Sequence, residues 1–291
     1  MTTFGTTTAA MLRHFKFIIL LILVVLALSD DVSLQQLLLA SLALFGIDYI
    51  FLTRKKAAAL TAQQHETPEE IKAALRLSGT RYYHTLNEGQ RQLFEDLVVN
   101  FIQHKRFIAR GEGMQVSTHM KVQVAACAVQ LTFGLQELHF AHFRTILLYP
   151  DRYYSTIYKQ YHCGEVNMKG YIVLSWRDFE AGNQNPQDGL NLGLHEMAHA
   201  LHLENDIRNE EYDFLNREYL NSWTHLSERE RTRMQVEKSV FRRLSAAPDA
   251  HEFFAVAVEL FFELPQLLAQ EHPEIYTSLA RLLNQYPAKQ V

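Results

Sequence analysis

Cysteine is scarce in this sequence. The 291 residues include two cysteines, Cys127 and Cys163, and a single pair cannot form a disulfide framework. Structural zinc sites have four protein ligands and are usually rich in cysteine, so the composition also argues against a purely structural zinc protein. Cys127 lies in an apolar run and is predicted to be a small core residue. This composition suits a reducing compartment.

The sequence also lacks an excess of positive charge. Lysine and arginine total 28 against 32 acidic residues, which gives a net charge of −4, and no long basic run is present. Nucleic-acid-binding domains present a basic patch or stripe, so we expect no nucleic-acid partner. Hydrophobic residues make up 48% of the chain. Its length allows one large core or two modest ones.

One stretch carries a pattern with a clear chemical meaning, His195-Glu196-Met197-Ala198-His199. Residues four apart share one face of a helix, so the two imidazoles point to one spot. Two imidazoles at this spacing supply two of the three protein ligands of a catalytic zinc. Glu196 can then reach the zinc-activated water as a general base. Residues 190–203 are apolar on nearly all faces, which predicts a buried helix.

The residues alone leave the third zinc ligand open. His202 lies about 10.5 Å along the helix axis from His195, which is too far for one ion with zinc–nitrogen bonds of about 2.0–2.1 Å. Glu218 has roughly the spacing used by thermolysin-like enzymes but lies in a polar segment. Glu252 and Glu259 lie in an otherwise apolar helix, where a buried carboxylate needs a partner. Physical chemistry favours these two about equally.

Two apolar runs occupy the N-terminal region. Residues 1–10 are predicted to be disordered, and residues 11–56 contain the two runs, with an acidic turn between them and basic residues at both outer ends. We favour a membrane-anchoring helical hairpin, for which the positive-inside rule places both ends in the cytoplasm. A cleaved signal peptide and a soluble helical hairpin are the alternatives. Asp48 in the second run counts against a span, because a carboxylate in lipid is costly.

The remaining chain is predicted to be a linker, residues 57–66, and a folded domain, residues 67–291. Thr67-Pro68-Glu69-Glu70 has the pattern of a helix N-terminus with a capping box. Further helices are predicted at residues 93–107, 118–133, 227–244, 251–262 and 274–283, and strands at residues 145–149 and 170–176. The strand before the metal helix is generally an open edge in zinc peptidases, to which a peptide substrate can add. An internal strand of a mixed sheet is the alternative.

From about Ala73 to Tyr286 the chain resembles the Mlc titration factor A family of zinc-dependent peptidases. The matching pieces are Phe101-Ile102-x-x-Lys105-Arg106-Phe107, Ile146-Leu147-Leu148-Tyr149-Pro150, Val173-Leu174-Ser175-Trp176, Asp188-Gly189-x-Asn191-x-x-Leu194-His195-Glu196-x-Ala198-His199 and Glu252-Phe253-Phe254-Ala255-Val256-x-x-Glu259. The resemblance implies an α+β, mainly helical zincin fold with a small β-sheet, related to the anthrax lethal factor catalytic domain. It also implies a Zn²⁺ cofactor, a peptide or protein substrate and Glu252 as the third ligand. Glu259 would then orient a ligand imidazole.

The sequence departs from the family pattern at two positions. The family usually has a tyrosine, thought to stabilise the oxyanion, seven residues before the glutamate ligand, and here Ser245 occupies that position. The family often has an aspartate three residues after the second histidine, and here His202 occupies it. Loss of a transition-state hydrogen-bond donor typically costs about 10²–10³ in rate. A slow, specialised or inactive enzyme is therefore an alternative to an ordinary one.

These patterns together predict a zinc metallopeptidase anchored in the inner membrane of a bacterium, with its catalytic domain in the cytoplasm. The metal ligands are His195, His199 and Glu252, and the general base is Glu196. The alternative is a weakly active or inactive zincin scaffold that binds a regulatory protein partner, such as a transcriptional repressor. Turnover distinguishes the two, because a pure binding protein has no need of Glu196.

Overall fold

The computed structural model describes residues 66–135, 140–155, 159–207, 215–234 and 241–289. The predicted disordered N-terminus and membrane hairpin, and all but the last residue of the predicted linker, lie outside these residues. Within the described ranges, no helix combines the length and the apolarity that crossing a bilayer requires. From Glu66 onward the chain forms one compact unit.

Helices make up most of the described chain, which confirms the mainly helical α+β prediction. In chain order they are α1 (Pro68–Leu77), α2 (Arg81–Thr85), α3 (Glu88–His104), α4 (Thr118–Thr132), α5 (Trp176–Gln184), α6 (Leu192–Ile207), α7 (Arg217–Arg233), α8 (Arg242–Ser245), α9 (Ala250–Glu263), α10 (Pro265–Glu271) and α11 (Pro273–Leu282). The strands are β1 (Arg106–Ala109), β2 (Thr145–Tyr149), β3 (Tyr153–Ser155), β4 (Gln160–His162), β5 (Gly164–Asn167) and β6 (Tyr171–Ser175).

Helix α1 begins where the sequence predicts. The Thr67 side chain accepts a hydrogen bond from the backbone N–H of Glu70, and the Glu70 carboxylate accepts one from the N–H of Thr67. This reciprocal pair satisfies two of the N–H groups that a helix N-terminus leaves without partners. Pro68 fits the first helical position because its ring fixes a helical φ and it has no N–H to satisfy.

The main sheet has the strand order β1-β2-β6-β5. Strands β1, β2 and β6 run parallel, and β5 runs antiparallel to β6 with Gly164 opposite Leu174. The strand before the metal helix is therefore internal, so of the two alternatives that the sequence left open the internal strand of a mixed sheet is the one observed. The edge strands of this sheet are β1 and β5, and β5 is the one that pairs with β6. Strand β5 was not predicted. Its sequence, Gly-Glu-Val-Asn, is short and polar and lacks the apolar alternation by which a strand is recognised.

The bounds of two predicted helices are wrong. Helix α3 starts earlier, at a capping box formed by Asn87 and Gln90, and Phe107 belongs to strand β1 rather than to the helix. Ser227 lies inside helix α7 instead of starting a helix, and its hydroxyl donates to the carbonyl oxygen of Thr224. The N-cap of α7 is Asn216, whose side chain accepts from two backbone N–H groups.

Helix α6 lies in the interior, as its apolar flanks predict. It packs against α4, α9 and strands β5 and β6. Leu194, Met197, Ala198 and Leu201 are buried, while His195 and His199 lie on the face that remains partly accessible. The surrounding core thus fixes the direction of the two imidazoles, because the helix cannot rotate without exposing apolar side chains to water.

Candidate metal centre

The metal helix α6 begins at a cap supplied by Asn191. The Asn191 side chain accepts a hydrogen bond of 2.9 Å from the N–H of Leu194, and its carbonyl accepts one of 2.9 Å from the N–H of His195. This is the hydrogen-bond pattern of an N-cap residue. His195 consequently lies in the first turn of the helix, and His199 lies one turn further along.

The side chains of three residues converge beside this helix. His195 Nε2 lies 3.1 Å from His199 Nε2, and Glu252 places one carboxylate oxygen 3.4 Å from His195 Nε2 and the other 3.2 Å from His199 Nε2. A tetrahedral zinc with bonds of about 2.0–2.1 Å holds its ligand atoms about 3.3–3.4 Å apart. The spacing and chemistry of the three groups therefore fit a zinc ion, and among the described residues they form the one cluster with metal-binding geometry.

The cluster is open on one side. The side chains of His195, His199 and Glu252 retain 16%, 19% and 37% of their accessible surface. A structural zinc site is closed by protein ligands, whereas a catalytic site keeps a position for water or substrate. Glu252 is presented from the first turn of α9, where Asp249 caps the helix by accepting from the N–H of His251 and of Glu252.

Glu259 supports the cluster from behind. Its Oε1 atom lies 2.8 Å from His195 Nδ1 and 2.7 Å from an Arg243 nitrogen, and its Oε2 atom accepts from the Asn191 N–H at 2.6 Å and from Arg243 at 3.1 Å. A carboxylate bound to Nδ1–H keeps the other ring nitrogen, Nε2, free of its proton and turned toward the metal position. The side chain of Glu259 is 2% exposed, so its charge depends on these four donors.

The pKa values of His195 and Glu252 are shifted because several charged groups lie close together. Burial disfavours a charged His195, but the carboxylates of Glu252 and Glu259 outweigh burial and raise the pKa of His195 to about 10. Hydrogen bonds from His195 and then His199 hold the pKa of Glu252 well below its usual range. Metal ligation requires neutral imidazoles and an ionised carboxylate, so a divalent cation takes the place of the protons that these groups otherwise share.

Glu196 lies next to the cluster and is nearly inaccessible, at 5% exposure. Burial raises the pKa of its carboxyl group to about 7. Gly164, the first residue of β5, lies directly against it, and a Cβ atom at that position would fall 2.1 Å from Glu196 Oε1. Only glycine allows this approach. The sequence analysis missed Gly164, for which the only available signal is a glycine beside a polar segment.

The other sequence candidates lie away from the three converging atoms. Glu218 is exposed in the first turn of α7. The His202 ring contacts the ring of His251 at a centroid distance of 4.4 Å, and its Nε2 atom lies 3.7 Å from Asp206. The Ser245 hydroxyl, at the position where the family usually has tyrosine, donates to the carbonyl oxygen of Arg242 at 2.9 Å.

Comparison with known proteins agrees with this geometry. The family model described as Glucose-regulated metallo-peptidase M90 matches residues 51–283. An uncharacterised protein of Synechocystis is 27% identical over 216 residues, which cover 69% of this chain and 78% of that protein. A protein of Escherichia coli named Mlc titration factor A is 26% identical over 225 residues, which cover 71% of this chain and 83% of that protein.

Proposed function

This chain belongs to the glucose-regulated metallo-peptidase family M90, and we propose that it is a zinc-dependent metallopeptidase that hydrolyses peptide bonds. The observation that carries the proposal is the convergence of His195, His199 and Glu252 next to the buried carboxylate of Glu196. When bound, zinc supplies a Lewis acid that polarises a carbonyl group and makes water a stronger acid.

The residues of the cluster divide the work of holding the ion. His195 and His199 would hold the ion through Nε2 and Glu252 through its carboxylate, and the solvent-accessible side of the cluster would admit water or substrate. Glu259 fixes the ring of His195, and Arg243 compensates the charge of Glu259 through two hydrogen bonds. Outer partners of this kind orient the ligands and raise their basicity.

Proton transfer falls to Glu196. We propose that its carboxylate takes a proton from the attacking water and then delivers it to the nitrogen of the leaving amine, as a general base and afterwards a general acid. Its burial keeps bulk water from competing for the proton. Contact with Gly164 restricts where the carboxylate can lie.

Strand β5 offers a place for the substrate. Among the described residues, no strand pairs with the outer edge of β5, and the strand begins at the residue that contacts Glu196. A peptide that adds to this edge through backbone hydrogen bonds lies next to the general base. Recognition through the backbone alone would accept many sequences, with selectivity left to side chains beside the strand.

The decisive experiment replaces Glu196 with glutamine. Glu196→Gln should retain about one zinc per chain by elemental analysis, while cleavage of an unstructured peptide library, followed by mass spectrometry, falls about 10²- to 10⁴-fold. Glu228→Gln, an exposed change on α7, is the matched control and should leave both unchanged. Undiminished cleavage by Glu196→Gln would refute the proposed role.

Gly164 provides an independent test of the same site. Gly164→Ala should lower turnover at unchanged zinc content, because the new methyl group displaces the Glu196 carboxylate. Gly89→Ala is the matched control, since a Cβ there has only one neighbour within ordinary contact, at 3.8 Å. Equal turnover in the two variants would show that the position of the Glu196 carboxylate against β5 does not matter for catalysis.

A regulatory binding function is a second candidate, favoured by Ser245. Its hydroxyl is occupied by the carbonyl of Arg242, so the position of the usual family tyrosine contributes no free donor, and the enzyme would be slow. One relative is named Mlc titration factor A, which describes a protein that titrates Mlc. A chain that serves mainly as a binding protein should hold its regulatory partner equally well in the Glu196→Gln variant.

Membrane anchoring remains a separate proposal. We propose that residues 11–56 anchor the chain in the inner membrane with the catalytic unit in the cytoplasm, on the support of two apolar runs with basic outer flanks. A reporter fused after Lys56 should behave as cytoplasmic, and one fused at Asp31 as external. An external reporter after Lys56, or a mature N-terminus near Asp30, would favour the signal peptide instead.

A further inference from the structure

A cavity that is separate from the three metal-binding side chains lies beside the start of the metal helix. Its volume is about 320 Å³, and none of the three converging ligands lines it. It opens between α4, α5, the start of α6 and the end of α9, and its walls include the aromatic side chains of Tyr82, Trp176 and Phe262. This volume is within the range of small-molecule sites, about 300–1,000 Å³.

One wall of this cavity carries a buried carboxylate. Glu263 is 6% exposed. It accepts hydrogen bonds from the Leu190 N–H at 3.1 Å and from Asn191 Nδ2 at 3.1 Å. Within the described chain no lysine or arginine forms an ion pair with it. A backbone hydrogen bond from Gly189 also favours its charged form. These three donors still leave an acceptor position of the carboxylate unused, because a carboxylate offers about four.

The buried carboxylate of Glu263 requires a cation or further hydrogen-bond donors to compensate its charge. An ionised carboxylate away from water is expensive unless a cation or further donors compensate it, and burial raises the pKa of Glu263 to about 7. Aromatic ring faces attract cations as well. A second carboxylate, the exposed Glu180, lies on the lining of the same cavity.

We propose that this cavity binds a small aliphatic diamine, with one ammonium group on Glu263 against the aromatic wall and the other toward Glu180. An ammonium group supplies three donors and a positive charge, which complete the coordination of the buried carboxylate. The methylene chain between the two groups packs against the rings. A neutral polyol of the same length supplies donors without the charge and should bind far less well.

The cavity is linked to the metal centre through Asn191. Asn191 donates its side-chain amide to Glu263 and its backbone N–H to Glu259, and Glu259 holds His195. An ammonium group on Glu263 draws negative charge away from the carboxylate oxygen to which the Asn191 amide donates, and it thereby weakens that hydrogen bond. Binding of the diamine should therefore change zinc affinity, and zinc should change diamine affinity by the same factor.

The test uses the purified full-length, zinc-loaded chain and 1,5-diaminopentane, with 1,5-pentanediol as the neutral probe, in calorimetric titrations. We expect saturable binding of one diamine and at least 10-fold weaker binding of the diol. Glu263→Gln should weaken diamine binding at least 10-fold, whereas Glu271→Gln, an exposed change on α10 outside the cavity, should not. Zinc affinity should shift at least about 5-fold with saturating diamine.

A second variant, Ala126→Leu, keeps the test informative if Glu263→Gln does not fold. Ala126 lines the cavity and is buried, so Ala126→Leu fills space there while the Glu263 side chain itself is unchanged, and it too should block the diamine. Absence of binding to the wild-type chain would overturn the proposal. Equal binding of the diol would also overturn it. So would undiminished diamine binding by Glu263→Gln or by Ala126→Leu, provided that the variant unfolds cooperatively like the wild type. A zinc affinity that does not change at saturating diamine would refute the proposed coupling through Asn191.

Discussion

The first turn and the middle of helix α9 each present a glutamate to the metal helix, and the two are held very differently. Glu252 is half-buried, and the groups that contact its carboxylate oxygens are the two imidazole nitrogens of His195 and His199. Glu259, two turns further along, is fully buried and accepts from His195 Nδ1, the Asn191 backbone and Arg243.

This difference is the one that we expect between a metal ligand and the residue that orients it. Two imidazole nitrogens and a carboxylate at 3.1–3.4 Å from one another need protons or a metal ion between them. Glu259 already has its oxygen atoms occupied by donors and has no free position for an ion. Residue type and burial in an apolar helix do not distinguish the two glutamates, but their partners do.

Removing the charge of Glu252 should have the largest effect on the metal. Glu252→Gln should lose zinc during purification, because a neutral amide is a weak ligand and leaves the charge of the ion less compensated. Its unfolding free energy without metal should fall because the ion pairs with His195 and His199 are lost. The decrease should be smaller than for a fully buried carboxylate, since solvent screens a side chain that is 37% exposed. Elemental analysis and urea denaturation measure the two quantities. Zinc at wild-type stoichiometry would remove Glu252 from the ligand set.

For Glu259 we expect a smaller effect on zinc binding and a larger effect on stability than for Glu252. Glu259→Gln should weaken zinc affinity about 10- to 100-fold. It should also lower the unfolding free energy of the metal-free chain by about 2–3 kcal/mol, because hydrogen bonds to a buried charged group are lost. Competition with a chelator gives the affinity. If Glu259→Gln loses zinc while Glu252→Gln keeps it, the two assignments must be exchanged.

The short helix that precedes α9 offers a test on turnover alone. Ser245→Tyr should raise peptidase turnover about 10-fold or more at constant zinc content, because a phenol at this position acts mainly on the transition state. Ser245→Ala is the control and should be neutral, since the serine hydroxyl donates to the Arg242 carbonyl. Unchanged or reduced turnover in Ser245→Tyr would mean that another group already performs this role or that the site is not tuned for catalysis.

The smallest effect is expected one turn beyond the second histidine. His202→Ala should keep zinc affinity within about twofold, because His202 contacts His251 and Asp206 rather than the cluster. Burial lowers the pKa of His202, so the variant removes a neutral ring. Loss of zinc in this variant would show that the helix binds its ion one turn further along than the distances indicate.

Local signals in the sequence predict local structure well here. The Thr67 cap, strand β2 and the metal helix all follow from patterns within a few residues. Strand β5 is missed because Gly164 to Asn167 lack apolar alternation, and Ser227 misleads because a serine three residues before a glutamate also occurs inside helices. Both errors arise where the tertiary surroundings override a short pattern.

Long-range contacts account for what the residues alone left open about the site. The different roles of Glu252 and Glu259 depend on Asn191 and Arg243, which no local pattern connects to them. The contact between Gly164 and Glu196 likewise requires β5 to be placed beside α6. The resemblance to a known family supplied Glu252 as the ligand, and the structure adds the donors that occupy Glu259.

The support of α6 by α9 has a consequence for the order of events during synthesis. Glu259 and Glu263 reach their partners on and before α6 across 64 to 73 residues of sequence. At about 5–20 residues per second, a ribosome completes the two histidines roughly 3–15 seconds before these carboxylates exist. The nascent chain in that interval lacks the carboxylate of Glu259, which lies 2.8 Å from His195 Nδ1 in the folded chain, and the packing of α9 against α6. A product truncated before α9 should therefore lack the metal site on which the proposed peptidase activity depends.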